Sequence, residues 1–213
     1  MKIRMLTMSL LIVMPSFLHA EDRWRENGYE LIFDMDIPYA DDPSSNALIR
    51  RDVAEFQLYV MENPELKLIS VSGDGGLGPP SFEIADNIMH FGFDTRAFGE
   101  CLSACTTIFL AGRERTLADG AALGFHRPYI TGEDERRYYL AHREKRGWRD
   151  EFDYVEFIYD IAYNDALKDI QFMVSRGVSV EFIFEALSYY SYEMWTPDRD
   201  ILLKNGILTK IFE

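Results

Sequence analysis

Apolar positions along this chain fall into two alternating kinds of run. "YELIFDMDIP" (29–38) is nearly continuous and is bounded by Gly28 and Pro38, which predicts a strand. From about 47 to 61 the pattern changes: Ile49, Val53, Phe56 and Val60 recur at steps of four, three and four, the spacing of one helix face, and Asn63-Pro64 stops it. "LKLISVSG" reads as a buried strand. After "DGGLGPP", Phe82, Ala85, Ile88 and Met89 mark a second amphipathic helix ending near Gly92. "FDTRAFG" predicts a short strand, "SACTTIFLAG" a buried helix closed by Gly112, and "AALGFHRP" (121–128) a strand ending at His126.

Such alternation predicts an α/β fold, a mainly parallel sheet with crossover helices whose crevice lies at the carboxyl ends of the strands. Between 131 and 176 the composition turns charged and aromatic. Phe152, Val155, Ile158, Ala162, Leu167, Ile170, Met173 and Val174 trace the apolar face of one or two long helices, a projection or a pairing element. "SVEFIFEALSYY" predicts a further helix. Thr196-Pro197 opens another, which Gly206 ends before a last short strand.

The first twenty residues change the picture of where this fold works. Lys2 and Arg4 precede an apolar run from Met5 to Leu18, and Ala20 is a small residue before "ED". That is the pattern of a signal peptide (1–20), too short for a comfortable membrane span, which places the mature chain from Glu21 in the periplasm or outside the cell. An uncleaved anchor is the rival reading. The remaining 21–213 suit a single domain. Removing two cations takes the formal charge from −14 to −16, so the exported chain is not suited to nucleic acid or anionic membrane. No phosphate-binding G-x-x-x-x-G-K-[ST] loop occurs, the four histidines lack H-E-x-x-H spacing, and two thiols do not make a zinc site, so neither cofactor nor metal is expected.

Three turns, each after a predicted strand, carry candidate chemistry: "SGDGGLG", "GECLSAC" and "GFHRP". Singly they have ordinary readings as a positive-φ turn, a serine N-cap and a loop histidine. Together they hold the parts of acyl transfer. Ser103 at a helix start is a candidate nucleophile, His126 its base, and the N–H of Ala104 with a second N–H from the glycine turn are donors for an oxyanion. The surroundings of Ser103 differ from the G-x-S-x-G elbow, since Gly99 lies four residues before it. Cys101 and Cys105, four residues apart, lie about 6 Å apart at the Cα atoms if they share a helical turn; they form either a local disulfide or two buried thiols.

In order and spacing these segments resemble the Clp-protease proteolytic subunit within the Clp/crotonase superfamily, particularly its exported bacterial relatives. The similarity covers 66–128 well and 193–208 more loosely. Ser103 lies eight residues before Ala111-Gly112, His126 follows by twenty-three and precedes Arg127-Pro128, and "WTPDRDILLKNGIL" resembles the closing motif. The resemblance implies repeated β-β-α units, a Ser-His acyl-enzyme mechanism on peptide or protein substrates, an oxyanion turn at Gly75-Gly76 with Gly76 the donor beside Ala104, and a homo-oligomer paired through the helices of 131–176. The family's catalytic aspartate falls on Tyr192. Glu193 is the nearby carboxylate, and Ser191 or Tyr192 are the other groups to orient the ring. Two alternatives stand beside the hydrolase: a catalytically degenerate assembly or binding module, and a crotonase-type acyl-thioester enzyme.

Overall fold

The computed structural model describes residues 22–129, 131–190 and 192–210. The segment 1–20, the start at Glu21 and the candidate Ser191 lie outside the described residues.

The chain forms an α/β fold around a mixed, mostly parallel sheet. β1 (Trp24–Asn27) and β2 (Glu30–Asp34) make an antiparallel hairpin through the two-residue turn Gly28-Tyr29. From β2 the strands β3 (Leu68–Gly73), β4 (Asp94–Leu102) and β5 (Arg115–Leu117) follow in sequence order, each parallel to the one before. The connections hold α1 (Arg50–Glu62), α2 (Gly78–Phe91) and α3 (Ala104–Leu110). Every crossover moves one strand further in the same direction, and right-handed crossovers of that kind place their helices on one face. Accordingly α1 meets α2 and α2 meets α3. The register sets Leu31 beside Ile69 and Phe33 beside Val71, and all four are fully buried with Phe56 of α1 and Ile84 and Ile88 of α2. Burying each such side chain stabilises the fold by about 1.5–3 kcal/mol.

β4 runs through Gly99, the residue that marks the strand's end when the sequence is read alone. Val71 pairs with Ala97 and Gly73 with Cys101, so β4 spends four residues where β3 spends two. The excess is a bulge around Gly99, which takes φ +60 and has the Ser72 hydroxyl 2.9 Å from where a Cβ would stand. The bend divides β4 between two neighbours: Thr95–Ala97 pairs with β5, and Glu100–Leu102 pairs with β6 (Ala122–Gly124). Among the described residues 207–210 the strand expected after Gly206 does not form. Ile207 and Leu208 are buried, but the segment is held by single bonds, with Thr209 N–H donating to Arg115 O (3.1 Å) and the buried Arg115 guanidinium donating to Ile207 O (2.8 Å) and Gly206 O (2.6 Å).

The 131–176 region is two helices, α4 (Gly132–Arg146) and α5 (Glu151–Ser175). Acidic residues fill the first turn of α4 and basic residues its last, which suits the helix dipole. Thr131 and Asp150 cap the two helices through their side chains. Tyr139, Trp148, Tyr154 and Phe157 cluster between them. Along α5 the apolar face is largely uncovered: Phe152, Val155, Tyr159 and Tyr163 are exposed, and its C-terminal end, at Met173, enters the core. α6 (Val180–Ser188) and α7 (Arg199–Lys204) follow, each capped by a side chain, from Ser179 and Asp198.

One polar network matters for the site. The guanidinium of buried Arg23 donates to both carboxylate oxygens of buried Asp52, at 2.8 and 3.0 Å, and to the carbonyls of Met35, Ile37, Ser45 and Ala47. Asp52 also accepts from Tyr39 Oη and from the Ile49 N–H that precedes α1, both at 2.8 Å. The loop between β2 and α1 is thereby wound around one cation. Its last residues present Leu48 to the glycine turn described next.

Candidate active site

Ser103 joins the end of β4 to α3. It has φ +53 and ψ −124, and among the described residues it is the non-glycine residue with a positive φ. A side chain in this region of backbone space costs about 1–3 kcal/mol and persists only where neighbours impose it. Here they do. Its N–H donates to Gly124 O of β6 (2.9 Å), and its carbonyl accepts from the N–H and hydroxyl of Thr106 (2.9 and 2.7 Å). A disulfide joins Cys101 to Cys105 across it, with Cα atoms 5.2 Å apart. The hydroxyl makes no capping bond to α3, so the N-cap reading of this serine does not hold. It lines a pocket instead.

The turn Gly73-Asp74-Gly75-Gly76 closes against this junction from β3. A Cβ on Gly75 would stand 2.6 Å from Leu102 O and 2.7 Å from Ala104 N. A Cβ on Gly76 would stand 2.5 Å from Leu48 N. Both positions therefore need glycine, for opposite reasons: one faces the serine junction and the other the loop wound on Arg23. Leu48 N–H donates to Gly75 O (2.6 Å) and Leu77 N–H to Leu48 O (3.0 Å), a parallel bridge that uses Leu48 and leaves the Gly76 N–H pointing the other way. Gly76 and Ala104, whose N–H is the first of α3 and has no partner within the helix, both line the pocket with Ser103.

His126 follows β6 and is held from both sides. Phe125 and Trp195 exchange backbone bonds at 2.9 Å, and Arg127 N–H donates to Tyr189 O (3.0 Å). The imidazole Nδ1 is 2.8 Å from the carbonyl of Arg127. A carbonyl only accepts, so Nδ1 carries a proton, and the tautomer this selects has Nε2 as its lone-pair acceptor. The ring also lines the pocket. Glu193 does not join it: the residue is exposed, its N–H donates to Tyr190 O, and its carboxylate makes no hydrogen bond to His126. Tyr192 stacks on Tyr190 and is also exposed. The group behind the ring is thus a backbone carbonyl, in place of the carboxylate sought near the closing motif.

The pocket is an open cleft of about 190 Å³, on the scale of one side chain. Phe82 of α2, Leu110 of α3, Phe172 and Met173 of α5, and Leu187 of α6 give it apolar walls. One carboxyl group also lines it, Asp169 of α5, a residue the sequence reading passed over. Burial, with Asp165 adding like charge and Lys168 opposing it, pushes the Asp169 carboxyl up to about 6. A signal was present: Asp169 lies seven residues after Ala162 and four before Met173, in a row otherwise filled by small or apolar side chains.

Among the described residues no group of three or more His, Cys, Asp or Glu is placed to hold a metal, and no helix is long and apolar enough to cross a membrane. No protein-family model matches the chain, and no curated protein matches it at a significant level.

Proposed function

We propose that this chain is an exported serine hydrolase, a peptidase of the Clp-like kind, working through an acyl-enzyme. The observation that carries this reading is Ser103. A residue that could be glycine is held as serine at φ +53, and its hydroxyl is not used as a cap. Strain retained at a half-buried serine that lines a cleft is what a nucleophile turn requires. The Ser103 hydroxyl attacks the acyl carbon while His126 Nε2 takes its proton. The N–H groups of Gly76 and Ala104 receive the oxyanion, aided by the N-terminal end of α3. The protonated imidazole, steadied at Nδ1–H by Arg127 O, then passes a proton to the leaving amine, and water completes the cycle by the same route in reverse.

The resemblance of 66–128 to the Clp/crotonase superfamily supports the class, and the disulfide supports export, because such bonds persist in oxidising compartments. The chemistry described needs no cofactor. A second reading, a degenerate assembly or binding module with the same fold, is favoured by two observations: among the described residues neither a carboxylate nor the Ser103 hydroxyl is hydrogen-bonded to the His126 ring, whose one bond is to Arg127 O. Labelling of the exported protein with a fluorophosphonate, followed by peptide mapping, separates the two. Label on Ser103 that is lost in His126→Ala is the result expected of the hydrolase. A folded protein that takes no label between pH 6 and 9 is the module.

A further inference from the structure

Asp169 is the carboxylate of the cleft, and the mechanism does not use it. It reaches the pocket from the last turns of α5, and among the described residues its oxygens accept no hydrogen bond and form no salt bridge, although they are not sealed from the cleft. The nearest cation in sequence, Lys168, is turned to the Phe82 ring, with its Nζ 3.9 Å from the centroid. Nor does Asp169 orient His126, whose Nδ1 is already held by Arg127 O. A carboxyl group kept without a partner in a half-buried wall is costly unless something brings a counter-charge.

We propose that Asp169 is the specificity residue of the site and that the cleft takes the cationic side chain, lysine or arginine, of the residue whose carbonyl Ser103 attacks. This rests on the hydrolase reading and names its substrate class. The geometry fits such a side chain in both parts. The apolar walls from Phe82, Leu110, Phe172, Met173 and Leu187 cover a methylene stem, and Asp169 meets the charged head, in two hydrogen bonds when the head is a guanidinium. Thr107 and Tyr129 also line the cleft, while the hydroxyls of Ser81 and Thr106 are already donated to the carbonyls of Gly78 and Ser103. An acidic side chain is excluded by like charge, and an aliphatic one leaves the carboxylate without a partner.

The test uses the full exported chain and peptidyl-coumarin substrates that differ only in arginine, lysine, leucine or glutamate before the scissile bond. The ratio of kcat/KM for arginine over leucine is expected to exceed tenfold. In Asp169→Asn that ratio falls by about tenfold to a hundredfold, the worth of one charge-assisted contact, and Asp169→Glu restores part of it. A preference for leucine, or a ratio that Asp169→Asn does not move, overturns the assignment even when fluorophosphonate labels Ser103. Absent labelling overturns the hydrolase reading instead, and the cleft is then tested by binding alone. Benzamidine should raise the melting temperature of the wild type and not that of Asp169→Asn, and an equal response in both proteins overturns the cation site.

Discussion

Replacing Asp52 by asparagine tests whether the loop that backs the glycine turn depends on one buried carboxylate. Asp52 receives four donors: Arg23 Nε and Tyr39 Oη at one oxygen, and Arg23 Nη2 and Ile49 N–H at the other. Asparagine offers one oxygen and one NH2, so whichever way the amide is set, two donors face hydrogen atoms. Each orphaned buried donor costs about 1–3 kcal/mol, and the guanidinium loses its counter-charge where no water reaches it. The sum is about 4 kcal/mol, against a total stability of about 5–15 kcal/mol for a domain. With a urea slope of about 2.5 kcal/mol per molar, the unfolding midpoint should fall by about 1.5 M with the slope unchanged. Arg113→Ala is the control. That residue pairs with Asp94 on the surface, and its loss should cost less than about 1 kcal/mol. A midpoint within about 0.4 M of the wild type in Asp52→Asn would refute the network's role.

Four further outcomes are expected, three from the structure and the last from the sequence alone. The Asp169 carboxyl titrates at about 6 in the fold against 3.8 unfolded, so its neutral form is favoured by folding. Its contribution is fully present below about pH 4 and is lost as pH rises through 6; Asp169→Asn should therefore be more stable than the wild type by about 1–3 kcal/mol at pH 8 and no more stable at pH 3.5, as read from melting curves. Ser103→Ala should change stability by less than about 0.5 kcal/mol, since no capping bond is lost, while abolishing fluorophosphonate labelling; a loss of 1 kcal/mol or more would restore the cap reading. Phe152, Tyr159 and Tyr163 on the exposed face of α5 should be covered by a second copy in solution, so light scattering should give an oligomer that Phe152→Glu with Tyr159→Glu breaks down. N-terminal sequencing of exported protein should begin at Glu21, and Met1 retained in a membrane fraction would remove the leader reading.

The helices were legible because their apolar spacing and stop signals agree. Asn63-Pro64 ends α1 and Gly92 ends α2 within a residue or two of where they are read. The losses were at strands. Trp24–Asn27 shows one apolar residue in four, since the hairpin buries Trp24 and leaves Glu26 and Asn27 in water, and the Gly-containing two-residue turn was the available signal. Arg115–Leu117 opens with an arginine whose burial depends on carbonyls nearly a hundred residues away, which no local pattern reveals. At the site, Ser103, Ala104 and His126 are singled out by turn chemistry and Gly76 by the resemblance, and all four lie on one cleft. Asp169 was not, because a charged residue in a charged helix looks like solvent-facing surface until its row is traced to Met173. Glu193 was sought near the ring because it is close in sequence to the closing motif, and sequence distance proved a poor guide to what lies behind an imidazole.

The backbone angle of Ser103 also says something about the order of assembly. Thr106 and the Cys101–Cys105 bond act locally, but two of the neighbours that impose it arrive from elsewhere: Gly124 with β6, and Gly75 with the turn after β3, itself seated on Leu48. While any of these is undocked, the serine relaxes to ordinary angles and no pair of donors stands beside it. On the hydrolase reading, a chain still threading or partly unfolded is therefore not acylated at Ser103, and reactivity is expected only with the last strand contacts. Labelling at Ser103 would then report the completed sheet, making the nucleophile a built-in gauge of folding.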